Sequence, residues 1–246
     1  MENVEVNYVL GHSAQELERL SAQARHFEPF TRQVFQTAGV IPGMRVLDVG
    51  SGVGDVAFLA ADLVGDKGSV VGSDRVPVAI ATARARAVGM GLRNVTFCEG
   101  DPGEMAFDQP FDAVVGRFIL MHAADATAML RRLAGHLRHR SLIVFIEPAW
   151  SYVRSQPLAS LYERCCRWIV QTLRVAGVET DMGIKLYPTF VAAGLPTPSM
   201  QLCPRIAGPA GVRSGDPGDA APREHGRARR AGRPARVGAS ASLRPR

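Results

Sequence analysis

The sequence predicts an α/β protein built on a doubly wound, mostly parallel sheet. Two observations carry that expectation. From residue 44 onward, short apolar runs alternate with amphipathic stretches, the rhythm of parallel strands joined by crossover helices. The first such run leads into "VLDVGSGVGDVA", residues 46–57, where Gly50, Gly52 and Gly54 follow an apolar segment and an acid just where a strand would hand over to a helix. A backbone so bare of side chains is one that a ligand or another segment approaches closely.

The elements follow in order. "HSAQELERLSAQARHF" reads as an N-terminal helix, with Ser13 and Glu16 spaced as a capping box and Leu17, Leu20 and Ala24 on one face. Strands are expected at 45–49, 69–73, 95–99, 111–116 and 142–147, with helices at 55–64, 77–88 and 124–137 between them. Gly65 stops the first of these helices and Pro77 suits the opening position of the second. After "FIEPAW" the rhythm breaks into the long amphipathic stretch "PLASLYERCCRWIVQTLRVAG". Such an insertion is expected to cap the pocket at the carboxyl ends of the strands. A short helix at 186–193 and a strand at 199–203 complete the pattern. The expected organisation is a helical segment over 1–42, a ligand-binding core over 43–148, a cap over 149–184, the end of the core sheet over 185–203 and a separate tail over 204–246.

Composition limits the function classes. The four cysteines, Cys98, Cys165, Cys166 and Cys203, form no CxxC pair and interleave with no histidine, so neither a disulfide framework nor a zinc site is expected. No clustered acids suggest a divalent metal. The start, "MENVEVNYVL", carries two acids and no basic segment, and no apolar run is long enough to span a membrane. The expectation is a cytoplasmic protein with no membrane partner. The net charge is +6, but residues 204–246 hold ten Arg against three acids and contribute +7, leaving −1 for the remainder. A near-neutral body gives no footprint for nucleic acid, which could engage only the tail. The tail has no Lys, no aromatic residue and only four larger aliphatics (Ile206, Val212, Val237 and Leu243), so it is expected to be disordered. Two accounts of it stand: an Arg-rich binding tail, or a reading frame that slips near residue 203. The second is favoured, because Arg, Ala, Gly and Pro are what GC-rich codons yield out of frame.

Three ligands suit a strand, a glycine-rich turn and a helix. A triphosphate is excluded, since no Lys-Ser or Lys-Thr closes the loop. A dinucleotide is disfavoured, since position 55 is Asp rather than a small residue and would repel a diphosphate. An adenosyl compound with an amino-acid head carries no phosphate, and its α-ammonium would welcome Asp48. Asp74 ends the second strand in "VVGSD", where a carboxylate can accept hydrogen bonds from both ribose hydroxyls. Asp101 follows the third strand in "EGDP", where one can accept from an adenine amino group. Three consecutive strand ends supply one binding line.

On these residues the chain resembles the class I S-adenosylmethionine-dependent methyltransferases, most of all the ubiquinone and menaquinone biosynthesis type that acts on small molecules. "VLDVGSGVGD" matches their acid-x-Gly-x-Gly-x-Gly motif, and "VVGSD", "CEGDP" and "FDAVVGRFILMH" stand as the later cofactor motifs, over about residues 8–203. The resemblance implies a Rossmann-like fold, S-adenosylmethionine as cofactor and methyl transfer to an O, N or C nucleophile of a small metabolite. It further implies that the family's closing antiparallel strand would fall where the basic tail stands. The cofactor contacts it implies are Asp48, Gly50, Ser51, Gly52, Asp74, Arg75, Gly100, Asp101, Pro102 and Arg117. Arg75 either lays its plane on the adenine or is an ordinary surface Arg, and Arg117 is either a cofactor-pocket donor or an ion-pair partner. His122 is the candidate catalytic residue: a neutral imidazole there can take a proton from the acceptor, although a polar wall with no chemical role is an equal reading. Tyr8 and His12 could close over the cofactor. Trp150, Tyr152 and Arg154 are candidates for the acceptor pocket, while Trp168 and Phe190 fit helical spacing and are expected in the core.

Methyl transfer from a sulfonium is an in-line displacement that needs little acid or base chemistry; holding the reactants collinear and excluding water does most of the work. The cofactor half of such a site is therefore readable and the acceptor half is not. "GRFI" after the fourth strand lacks the Asn or Asp, Pro, Pro and aromatic run of DNA amino methyltransferases, and no cysteine stands where a cytosine C5 enzyme needs its nucleophile.

Overall fold

A computed structural model of the chain describes residues 14–204 and 240–242. The expected Ser13 cap, Tyr8 and His12 lie outside the described residues, as does the tail apart from 240–242. The first helix, α1 (Ala14–Ala38), runs well past the predicted stretch and passes through Pro29. It continues because Phe30, Val34, Phe35 and Ala38 extend its apolar stripe, and all four are buried.

The sheet follows as β1 (Arg45–Val49), α2 (Asp55–Val64), β2 (Ser69–Asp74), α3 (Pro77–Gly89), β3 (Val95–Glu99), β4 (Phe111–Arg117), α4 (Ala126–Ala134) and β5 (Leu137–Ile146). These five strands are parallel, in the spatial order β3-β2-β1-β4-β5. The order reverses at β1, so a crevice opens between β1 and β4 at their carboxyl ends, where ligands of such sheets sit. Both faces are covered. α2 and α3 help bury Val46, Val70, Val115 and Val144 on one side; α4 and α6 (Met182–Ala192) help bury Leu47, Val114 and Ile143 on the other.

α6 starts at Met182 rather than at the expected 186, and the strand expected at 199–203 ends at Gln201; two larger differences bear on the sheet. The predicted helix 124–137 stops at Gly135, and Leu137 already pairs with Phe111 as part of β5. An irregularity in the ladder between Phe111 and Ala113 absorbs the polar run that follows Leu137, including Arg140 at φ 63°. The second concerns the tail. Ser240–Ser242 forms β7, antiparallel both to β5 and to β6 (Ser199–Gln201), and completes the order β3-β2-β1-β4-β5-β7-β6. The expectation that all of 204–246 stays outside the fold is corrected at these three residues. Backbone pairing needs no apolar side chain, so a Ser-Ala-Ser stretch can fill a gap between two strands that a composition argument would leave empty.

α5 (Ser160–Val175), the predicted cap helix, buries none of its residues. Trp168 is 56% exposed, against the expectation that it sits in the core, whereas Phe190 on α6 is wholly buried as expected.

Candidate active site

The turn between β1 and α2 is built by left-handed glycines. Gly50 has φ 66°, and Ile119 also leaves no room for a side chain: a Cβ there would lie 2.3 Å from Ile119 Cδ1. Gly52 has φ 52°, yet among the described residues nothing beyond its chain neighbours lies within 4 Å of where its Cβ would be. One glycine is therefore required by packing, and the other leaves an open approach to the backbone.

Asp74, at the tip of β2, ties that turn in place. Its Oδ2 accepts from the Gly52 N–H at 2.8 Å, and its Oδ1 accepts from the Val76 N–H at 2.9 Å. Each oxygen keeps a further lone pair for an incoming donor. The Ser51 N–H donates to the Ser73 carbonyl and the Gly100 N–H to the Asp74 carbonyl, so the tips of β1, β2 and β3 are laced side by side. Beyond β3, Asp101 accepts from the Gly103 N–H and pairs with Arg75, against the desolvation that works to raise its pKa, and its carboxyl stays below the usual range. Arg75 is an exposed surface Arg, the second of its two expected forms, and it pairs there with another candidate residue, Asp101. The Pro102 carbonyl lies 2.6 Å from His136 Nε2.

Asp48 is buried beneath the turn, and burial pushes its carboxyl well above the usual range, with Arg117 opposing the shift. Arg117 donates to Thr31 Oγ1 of α1 at 3.0 Å; burial lowers its pKa while Asp48 pulls the other way. Asp55 is paired with Arg86, Nη2 to Oδ1 at 2.7 Å, so its charge is largely answered within the protein. The like-charge argument against a diphosphate at that position is weaker than the sequence alone suggests.

Across the crevice, β4 leads through Phe118, at φ 59°, into a 3-10 turn at Leu120–His122. Burial lowers the pKa of His122, which keeps its imidazole neutral. Glu147, just past β5, is buried, and its Oε1 accepts from the N–H groups of Ile119 at 3.0 Å and Leu120 at 2.7 Å, its Oε2 from that of Met121 at 3.3 Å. Burial raises its carboxyl pKa to about 8, the three N–H groups holding it below where burial alone would put it. Sequence reasoning placed Glu147 only as the last residue of a strand. The signal was a carboxylate closing the apolar run of "FIEPAW".

Trp150 lines an open cleft of 590 Å³ between the 3-10 turn Trp150–Tyr152 and α5, together with Val153, Cys166, Arg167 and Val170. Tyr152 and Arg154 are exposed beside it. A second hollow, of 440 Å³, lies by Arg45 at the opposite end of β1 from the glycine turn.

The residues present fit an adenosyl ligand. Among the described residues, Asp48 Oδ2 and Ser51 Oγ are buried without a hydrogen-bond partner, at the turn whose Gly52 faces open space. Buried polar atoms of this kind are ordinarily paired, and a donor-rich ligand would pair them. Among the described residues no group of His, Cys, Asp and Glu could hold a metal ion, and no helix is long and apolar enough to cross a membrane.

Sheet order, crevice and glycine turn define a Rossmann-like, doubly wound α/β protein that takes its ligand at the carboxyl ends of the strands. Within that class the family is shown by sequence: a family model described as a methyltransferase domain matches residues 41–194, and the chain belongs to that family. Aklanonic acid methyltransferase DauC of Streptomyces sp. (strain C5) is 33% identical over 147 residues, 59% of this chain and 66% of that protein. The 2-phytyl-1,4-naphtoquinone methyltransferase of Synechococcus elongatus is 32% identical over 144 residues, 56% of this chain and 60% of that protein. The chain thus spans under two thirds of the length of these curated relatives. A SAM-dependent methyltransferase from Aquifex aeolicus shares the fold with a TM-score of 0.52 at 21% identity, covering 68% of this chain and 88% of that one.

Proposed function

We propose that this protein transfers a methyl group from S-adenosylmethionine to an O, N or C nucleophile of a small-molecule acceptor. The observation that carries the reading is the conjunction at the glycine turn: an open approach at Gly52, the Asp74 carboxylate beneath it, and two buried polar atoms, on Asp48 and Ser51, without partners among the described residues. When bound, the cofactor would supply an electrophilic methyl on a sulfonium sulfur. Gly50, Ser51 and Gly52 would present backbone to its ribose and methionine portions, and Asp48 would sit beneath the amino-acid head. Asp74 would take the ribose hydroxyls, with Gly100, Asp101 and Pro102 along the adenine. Asp101 would share its carboxylate between Arg75 and the base, while Arg117 would keep Asp48 in check. His122, neutral by burial, could accept a proton where the acceptor arrives protonated. α5 and the turn at Trp150 would border the acceptor, and the relatives that act on aklanonic acid and a phytyl-naphthoquinone favour a flat, largely apolar molecule there. A cytoplasmic location and indifference to nucleic acid belong to the same reading.

Calorimetry with S-adenosylhomocysteine against NAD tests it. One-to-one binding of the homocysteine compound and none of NAD is expected. Tight binding of NAD alone would overturn the reading. Titration at rising salt addresses the rival tail-borne interaction, since cofactor affinity should hold steady where an Arg-rich contact to nucleic acid would weaken steeply.

A further inference from the structure

The segment between β4 and α4 is held in a conformation it would not adopt unaided. Phe118 has φ 59°, a left-handed value that side chains other than glycine rarely take and that persists only where surrounding contacts over-determine it. Some of those contacts are visible. The Phe118 N–H donates to the Ile146 carbonyl at 2.9 Å, and Phe27 of α1 meets the Phe118 ring edge to face at 5.2 Å. The three residues that follow give their N–H groups to one side chain, Glu147.

What that segment carries gives the arrangement its meaning. Ile119 is the residue whose side chain lies against Gly50, so its position sets the shape of the glycine turn from the acceptor side. His122 closes the same 3-10 turn, its N–H donating to the Ile119 carbonyl. The Met121 carbonyl accepts from the Glu179 N–H at 2.8 Å, and the Pro148 carbonyl from the Gly183 N–H at 2.8 Å, so the segment leading into α6 is fastened to both sides of the carboxylate. A single apolar substitution at Glu147 would release three buried donors at the seam between the two halves of the site.

We infer that Glu147 is a positioning residue for methyl transfer: from the tip of β5 its carboxyl group fixes the backbone of Ile119, Leu120 and Met121, and through them both the side chain that flanks the glycine turn and the placement of His122. The inference rests on the cofactor lying at that turn. It assigns Glu147 no contact with either reactant. The group is suited to the task because it is one residue beyond a central strand and so moves only if the sheet moves. Its fully buried setting also removes water as an alternative partner for the three N–H groups.

Two variants test the inference. Glu147→Met keeps the volume and removes every acceptor; Glu147→Gln keeps one oxygen to accept from Ile119 and Leu120. With S-adenosylhomocysteine in the calorimeter, the Met variant should bind at one-to-one stoichiometry with Kd raised tenfold or more, and the Gln variant should stay within about threefold of the unaltered protein. A Met variant with unaltered Kd, whether at full or reduced stoichiometry, assigns Glu147 to stability alone and overturns the inference. Should the Met variant fail to fold, hydrogen exchange on the unaltered protein decides. The amides of 119–121 should be as protected as those of β4 before any nucleoside is added, whereas exchange at the unprotected rate until nucleoside binds would overturn the inference. Failure of the cofactor reading itself has another signature, no binding of S-adenosylhomocysteine by the unaltered protein.

Discussion

Gly50 and Gly52 stand two positions apart, share a left-handed backbone and are needed for different reasons. An alanine at 50 must take φ 66° and also push Ile119 aside, so Gly50→Ala should lower stability by about 2–4 kcal/mol, read as a shift of the urea midpoint. An alanine at 52 meets no atom of the described residues beyond its chain neighbours; it should cost about 1 kcal/mol of stability but, on the proposed reading, lower S-adenosylhomocysteine affinity at least tenfold by occupying the ligand's approach. Equal effects on both properties in both variants would contradict this division. Asp74→Ala removes the acceptor for two backbone N–H groups and, on the proposed reading, for the ribose, and should weaken the nucleoside by about 2–3 kcal/mol in calorimetry. Glu147 makes a prediction in pH. Its carboxyl loses a proton near 4.5 in the unfolded chain and near 8 when folded, so across that window the folded state holds the extra proton and stability falls as pH rises. Glu147→Gln has no such proton, and should gain on the unaltered protein by up to about 5 kcal/mol between those limits, measured as unfolding free energy at each pH.

At the scale of elements, α5 and α6 answer to different physics although both read as apolar and periodic. Phe190 on α6 is wholly enclosed, and Phe190→Ala should cost about 3–5 kcal/mol. Trp168 on α5 is more exposed than not, and Trp168→Ala should change stability by no more than about 0.5 kcal/mol. If α5 borders the acceptor, Val170→Ala, in the lining of the cleft, should raise the KM for that molecule while leaving the KM for S-adenosylmethionine in place. Helical spacing told both helices from strands but could not tell which apolar face another element covers, because that depends on where the insertion lies over the sheet. The stop of α4 at Gly135 was likewise hidden. Leu137 suits the end of a helix or the start of a strand, and its pairing with Phe111 decides.

For the whole molecule, the five parallel strands, the glycine turn and the acids at successive strand tips were legible, because each rests on a local pattern: an apolar run, a residue without a side chain, a carboxylate after it. What lay hidden were relations between distant segments. Arg75 with Asp101, Arg86 with Asp55, and Glu147 with the 119–121 backbone join residues that no spacing rule connects. β7 is the largest such case. Its Ala241 pairs across to Phe145 on one side and Met200 on the other, so Ala241→Pro would break a ladder between two neighbours. It should lower stability by about 3 kcal/mol, seen as a fall in Tm of several degrees. An unaltered Tm would place 240–242 outside the sheet.

The wedge that β7 drives between β5 and β6 also sets an order of events during synthesis. Those two strands leave the ribosome well before their common neighbour, and in the interval the unsatisfied flank of β5 faces the cell as a template for any extended peptide. A nascent chain of this design would carry that open flank until residues 240–242 are made, and a message cut short before codon 240 would leave β5 without its β7 partner.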